Sequence, residues 1–212
     1  MMIGFVLVAA IFAPMIALTL LKNDLLPDVK IILRPVGKLE ILTYVHLPIL
    51  FIALHFWSRE LDLHGLLLNY VLLFFGWVVA FHDYRHKKIP NSYVLSFFAV
   101  WVLITVPRLF ADIDGTLLLL WDSTLGAVLS FVLFILVYII SRKGIGGGDV
   151  KFMTVAGLYL GLNGVLPAIL YASVLTAITG GVLILSKRIG RKDSLPFAPF
   201  LYVSFIIVVF LM

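Results

Sequence analysis

Two aspartates stand where an apolar chain has least use for them. Asp83 closes the apolar stretch Leu66–Phe81, within Phe81-His82-Asp83-Tyr84-Arg85-His86-Lys87-Lys88-Ile89-Pro90-Asn91. Asp149 opens another, directly after Gly144-Ile145-Gly146-Gly147-Gly148. If both lie at one membrane face, the two carboxylates can share a proton, because close like charges drive their proton affinities apart. The ionised member takes a proton from water while the neutral one polarises a substrate carbonyl. A peptide bond is then hydrolysed with no covalent intermediate and no cofactor. The two roles belong to the pair and not to either residue.

The glycines before Asp149 have a use in that chemistry. Glycine adopts backbone angles closed to other residues and lets a second backbone come close. An extended substrate segment lying on Gly146, Gly147 and Gly148 would bring its scissile carbonyl to Asp149. Small residues also serve helix packing in membranes. The aspartate that follows at once tips the reading toward a site. Pro90 suits the start of the next helix, where proline is tolerated.

The elements that position these residues follow from composition. The chain has 212 residues, 63% hydrophobic and only 13% charged, with a net charge of +5. Soluble domains carry roughly 25% charged residues. A soluble enzyme, a disordered tail and a nucleic-acid-binding domain are excluded. The chain contains no cysteine, which excludes disulfides, thiolate metal sites and cysteine catalysis. What remains is an all-α polytopic membrane protein, a single membrane-embedded domain over residues 1–212.

Apolar stretches at Met1–Leu21, Ile41–Trp57, Leu66–Phe81, Ser92–Phe110, Ser123–Ile140, Val150–Leu162, Val165–Ser186 and Leu195–Met212 predict about eight transmembrane helices. Met1–Leu21 has no basic segment before it and reads as a retained helix. Eight spans place 14 of the 16 basic residues on one side, leaving only Arg59 and Arg108 on the other. Merging the sixth and seventh spans across Gly161-Leu162-Asn163-Gly164 would move Lys187, Arg188, Arg191 and Lys192 to the sparse side. Basic segments mark the cytosolic face. Both termini are therefore expected outside, and Asp83 and Asp149 at the cytosolic face. Most of the basic residues serve orientation and contact with anionic lipid. Asp112, Asp114 and Asp122 are expected to be solvated in one outer loop, and Glu60 and Asp62 in another.

The two motifs together resemble those of the prepilin peptidases, bacterial aspartyl proteases of the GxGD type. Gly146-Gly147-Gly148-Asp149 with Val150-Lys151 is similar to the family's GxGD signature. Asp83 with Arg85 and Ile89-Pro90-Asn91 looks like its first aspartate motif. Leu195-Pro196-Phe197-Ala198-Pro199-Phe200 is similar to the start of its last helix. The resemblance implies a multi-pass protein of the bacterial cytoplasmic (inner) membrane. It implies removal of a short basic leader from type IV prepilins or the pseudopilins of type II secretion, ahead of their hydrophobic helix, on the cytosolic side. Asp83 and Asp149 would be the catalytic pair, and Gly146, Gly147, Gly148, Lys151, Pro90 and Asn91 would line the substrate path. Many members also methylate the new N-terminus and carry paired CxxC zinc motifs after the first helix. Here the matching stretch Lys22–Lys38 is short and free of cysteine. That excludes a cysteine-held zinc there and sets this chain apart from the methylating members. Phe12-Ala13-Pro14-Met15 stands where the family keeps a motif in its first helix.

Two other readings of the residues stay open. His82 and His86 are four apart, a spacing that metal-dependent hydrolases use on one helix face, although the neighbouring basic residues oppose a cation. Paired membrane acids and a glycine-broken helix also occur in ion- or proton-coupled transporters, whose sites lie near the midplane. His46, His55 and His64 read as interfacial or core residues.

Overall fold

A computed structural model describes residues 38–57, 62–140, 145–187, 190 and 195–211. The expected first span Met1–Leu21, Phe12–Met15 and nearly all of Lys22–Lys38 lie outside the described residues. So do Arg59, Glu60, Arg142, Lys143, Gly144, Arg188, Arg191 and Lys192. Every regular element among the described residues is helical. They fall into two compact units, divided between Asp62 and Leu63. The first contains α1, Lys38–Trp57, with a buried stripe of Leu47, Phe51 and Leu54.

The second unit contains five helices: α2 Leu63–His86, α3 Asn91–Thr105, α4 Ile113–Ile140, α5 Gly147–Leu185 and α6 Ala198–Leu211. A 3₁₀ turn, Val106–Phe110, prolongs α3. Among the described residues four segments, against about eight spans expected for the whole chain, are long and apolar enough to cross a membrane: Leu63–His86, Asn91–Phe110, Ile113–Ile140 and Gly147–Leu185. Ala198–Leu211 is apolar and shorter.

α2 is apolar all round, and an element with no polar face belongs in the middle. Residues Leu72 to Ala80 are buried without interruption, and α3, α5 and α6 pack against the helix. Aromatic rings tie these four together. Phe97 of α3 stacks on Phe75 of α2 at 5.0 Å and on Tyr159 of α5 at 4.3 Å. Phe152 of α5 lies between Phe97 and Phe205 of α6, at 5.6 and 6.1 Å. Such pairs contribute about 0.5–1.5 kcal/mol each beyond the area they bury. The Tyr159 hydroxyl donates to the Phe97 carbonyl at 2.8 Å, which satisfies the polar tip of a buried ring.

α4 joins by a different device. Its buried stripe is Thr116, Ser123, Gly126, Ser130 and Phe134. A Cβ at Gly157 of α5 would stand 2.6 Å from the Gly126 carbonyl oxygen and 2.7 Å from Ser130 Oγ. Lipid is as apolar as a leucine, so membrane helices gain from close backbone approach and not from burying large side chains. The opposite face of α4 leaves Leu118, Val128, Phe131 and Ile139 exposed, as a lipid-facing surface should.

α5 is not straight. Gly161 has φ +63° and ψ −177°, a conformation essentially reserved for glycine. The helix bends back there. A Cβ at Gly148 would lie 2.9 Å from Ile89 Cβ, and Ile89 is in the turn that leads out of α2. Beyond the break, a Cβ at Gly164 would lie 3.7 Å from Val208 Cγ1, and one at Gly180 3.2 Å from Leu195 Cδ1. Leu195 precedes Ala198, whose amide reaches Asp83. Both ends of α5 therefore lie at the Asp83 end of the bundle. A straight helix of 39 residues would set its ends about 58 Å apart.

Breaking a helix orphans backbone N–H groups at the start of its second arm. Asp122 answers one of them: its Oδ1 accepts the Leu162 N–H at 3.2 Å. This corrects the expectation of Asp122 as a loop residue, although its side chain remains exposed. α4 starts ten residues before the predicted Ser123, capped by Asp112, whose Oδ1 accepts the Gly115 N–H at 3.0 Å. Asp122 is thus a helical residue aimed at the break. α2 likewise runs to His86, beyond the predicted Phe81.

Gly161→Ala is expected to lower stability in detergent by about 2 kcal/mol or more, through the disallowed φ and collision with Asp122. Gly181, where a Cβ meets nothing within 4 Å, is the control. Equal thermal unfolding of the two variants would mean that the break is not held as described.

Candidate active site

The two aspartates reach one end of the bundle from different directions. Asp83 sits one turn before the end of α2 and is 6% exposed. Its Oδ2 accepts the backbone N–H of Ala198, the first residue of α6, at 3.2 Å. The Leu195–Phe200 segment thus supplies a backbone donor to the first aspartate. Sequence reasoning quoted that segment as a helix start and did not place it in the site. Two prolines ahead of an apolar run were the signal, since they mark a helix start with unused amides.

Asp149 occupies the third position of α5, with Gly146 as the cap residue in extended conformation. Its Oδ2 accepts the Gly146 N–H at 3.1 Å, the carboxylate half of a capping box. A carboxylate in a first turn also meets the positive end of the helix dipole. Asp149 is 8% exposed, and its Oδ1 has no hydrogen-bond partner among the described residues. Asp149 lies within electrostatic reach of Asp83.

The segments around the pair are joined in two places. Ile89 packs on Gly148, as described above, so the space beside Gly148 is filled by the chain itself. Lys151 donates from Nζ to Asn91 Oδ1 at 3.0 Å, tying the start of α3 to the start of α5. Of the residues expected to line a substrate path, Gly146, Gly147, Lys151 and Asn91 are exposed, and Gly148 and Pro90 half-buried. A Cβ at Gly147 would meet nothing within 4 Å. Gly147 is thus the open glycine of the run and Gly148 the packed one. Pro90 caps α3 with φ −64° and ψ 141°.

The histidines are drawn into local contacts. His82 Nδ1 lies 2.8 Å from the Lys88 carbonyl oxygen, and its ring is 4.6 Å from that of His86. Among the described residues no three histidine or acidic side chains converge as metal ligands would. Arg85 lies over the Phe81 ring at 4.4 Å.

Two buried carboxylates on helix ends, one with a buried oxygen left unpaired, can bind and deprotonate a water beside a carbonyl. The sequence model of the type IV leader peptidase family matches residues 70–181, more than half of the chain and both aspartates. The chain belongs to the type IV leader peptidase family. A prepilin leader peptidase/N-methyltransferase of Legionella pneumophila is 31% identical over 164 residues, 76% of this chain and 54% of that protein. One of Bacillus subtilis is 30% identical over 122 residues, 58% of this chain and 46% of that protein. The chain spans about half the length of the curated relatives it matches. No solved structure matches it.

Packing of Gly148 on Ile89 makes the two neighbouring glycines respond differently to substitution. Gly148→Ala is expected to cost about 1–3 kcal/mol of stability by overpacking against Ile89, and Gly147→Ala close to nothing. Pairing Gly148→Ala with Ile89→Gly, which removes the Cβ that the new methyl would strike, should recover part of the loss. Unfolding midpoints in detergent decide it, and identical behaviour of the two glycine variants would refute the contact.

Proposed function

We propose that this protein is a membrane aspartyl endopeptidase that removes the short basic leader of type IV prepilins or pseudopilins. Asp83 and Asp149 are its catalytic pair. The observation that carries the proposal is the meeting of two buried aspartates at one end of the bundle, inside the segment matched by the leader peptidase family. Together they hold one proton. The ionised carboxylate accepts a proton from water, and the protonated one donates to the scissile carbonyl, so the water's oxygen joins the carbonyl carbon. The neutral gem-diol then collapses as a proton reaches the leaving nitrogen, and the dyad returns to its starting charge. The unpaired Oδ1 of Asp149 is the acceptor best placed for that water.

The substrate passes over the open Gly147, with Lys151, Asn91 and Pro90 beside it. The apolar helix of the substrate stays in the bilayer while its leader lies at the cytosolic face. Support for that face comes from the basic residues, 14 of 16 of which share the aspartates' side when the chain makes eight crossings. The reversal of α5 at Gly161 supports counting it as two of those crossings, which leaves both termini outside. The position of the pair at the bundle's end argues against a transporter, whose site would lie near the midplane. The relatives are also called N-methyltransferases; this chain has no cysteine for a thiolate zinc site, and the proposal covers the peptidase reaction.

Purified protein in detergent is expected to cut a prepilin-like peptide at the leader boundary. Asp83→Asn or Asp149→Asn should each reduce cleavage by about a thousandfold, in the range that a positioned acid–base group contributes. Product masses give the cut site. A chelator should leave the rate unchanged. Wild-type cleavage by either asparagine variant would overturn the dyad, and loss of activity restored by zinc would point to a metal hydrolase.

A further inference from the structure

His82 is buried at 8% exposure beside Asp83, and the two-carboxylate chemistry has no use for it. Its surroundings define what it does. The Lys88 carbonyl can only accept, so Nδ1, 2.8 Å away, carries the proton and donates. That fixes the tautomer and the ring's orientation. The ring is held further by His86 at 4.6 Å and by the edge of Tyr93, from α3, at 5.3 Å. It is clamped between the end of α2, the following turn and the start of α3.

The turn it holds is strained. Lys87 stands at φ +51°, in the left-handed region where glycine usually ends a helix. Its N–H closes α2 on the Asp83 carbonyl at 2.7 Å, and the chain then runs out through Lys88 to Pro90. This short segment carries Ile89, the residue pressed against Gly148. Contacts therefore run without a gap from Asp83 through His82, Lys88, Ile89 and Gly148 to Asp149.

We propose that His82 is a positioning residue. Its bond to the Lys88 carbonyl pins the Lys87–Pro90 turn to α2, and through Ile89 the turn sets where Asp149 stands relative to Asp83. The catalytic consequence rests on the peptidase reading above; the pinning of the turn does not. His82→Leu removes the donor and keeps an apolar body. His82→Asn places an amide nitrogen close to where Nδ1 stood. A misplaced catalytic group costs on the order of 10- to 100-fold in rate. His82→Leu should therefore lower kcat by about that factor with KM within about twofold, and His82→Asn should recover most of it. Equal losses in the two variants, or an unchanged kcat in His82→Leu, would overturn the proposal.

A second measurement does not depend on cleavage. The chain has no cysteine, so spin labels at Lys88→Cys and Leu166→Cys report the distance from the turn to α5 alone. Both side chains are exposed, and the Lys88 bond uses only its carbonyl. The distance distribution should be narrow with His82 present, broad or displaced in His82→Leu, and narrow again in His82→Asn. An unaltered distribution in His82→Leu overturns the positioning role whatever the activity. If the unlabelled wild-type protein does not cut, the peptidase reading falls, and the distances still decide whether His82 pins the turn.

Discussion

The constraint that organises this protein is the burial of two aspartate side chains in an apolar bundle. Such groups need polar partners that cost the bundle little. Helix starts provide them, because their first N–H groups have no partner inside the helix and carry the positive end of the dipole. Asp149 takes the amide of Gly146 at the start of its own helix, and Asp83 the amide of Ala198 at the start of α6. Two helices that follow one another in sequence must therefore begin at the same end of the bundle. Only a reversal between them allows that. Gly161, with the one backbone conformation in α5 that requires glycine, supplies it. Asp122 on α4 answers the amide that the reversal leaves unpaired. The turn at one end of the bundle thus follows from the chemistry at the other.

Packing divides accordingly. Stacked and tilted ring pairs among Phe75, Phe97, Phe152, Tyr159 and Phe205 hold together the four helices nearest the aspartates. Gly126, Gly157 and Ser130 bring α4 close to α5 without large side chains, so that Asp122 reaches the break. Gly126 is one helical turn from Asp122, which links the close approach directly to the cap.

What was legible in the sequence follows the same division. Asp83 and Asp149 stood out because a charge in an apolar run is rare and costly. The break at Gly161 was visible in the Gly-Leu-Asn-Gly turn between two apolar runs and the all-helical build in hydropathy, whereas the described residues contain four helices of crossing length against about eight expected spans. Asp122 was not, because three acids within eleven residues read as a loop when the first of them is in fact a cap. His82 was not, because its partner is a backbone carbonyl six residues on, across a turn whose left-handed residue is a lysine rather than the expected glycine. The Ala198 amide was not, because a backbone donor leaves no side-chain trace. Gly148 shows the limit of composition most directly: a glycine run looks uniform, but Ile89 fills one position and leaves its neighbour open.

The unequal treatment of the two aspartates carries the last step. Each has one oxygen bonded to an amide at a helix start, but the other oxygen of Asp149 is buried with no partner among the described residues. A buried polar atom left unpaired costs about 1–3 kcal/mol, more when it is charged. That is a large share of the stability a fold of this size can spare. The segment around it is otherwise well satisfied: the neighbouring Gly146, Lys151, Asn91 and His82 all have partners. Ser130 Oγ and Thr105 Oγ1 are likewise buried with no partner among the described residues, but the Asp149 oxygen belongs to a carboxylate and lies in range of a second one. On the proposed leader-peptidase reading, the groups that arrive are a water and a peptide carbonyl, and the unpaired Asp149 oxygen is where they would meet the two aspartates.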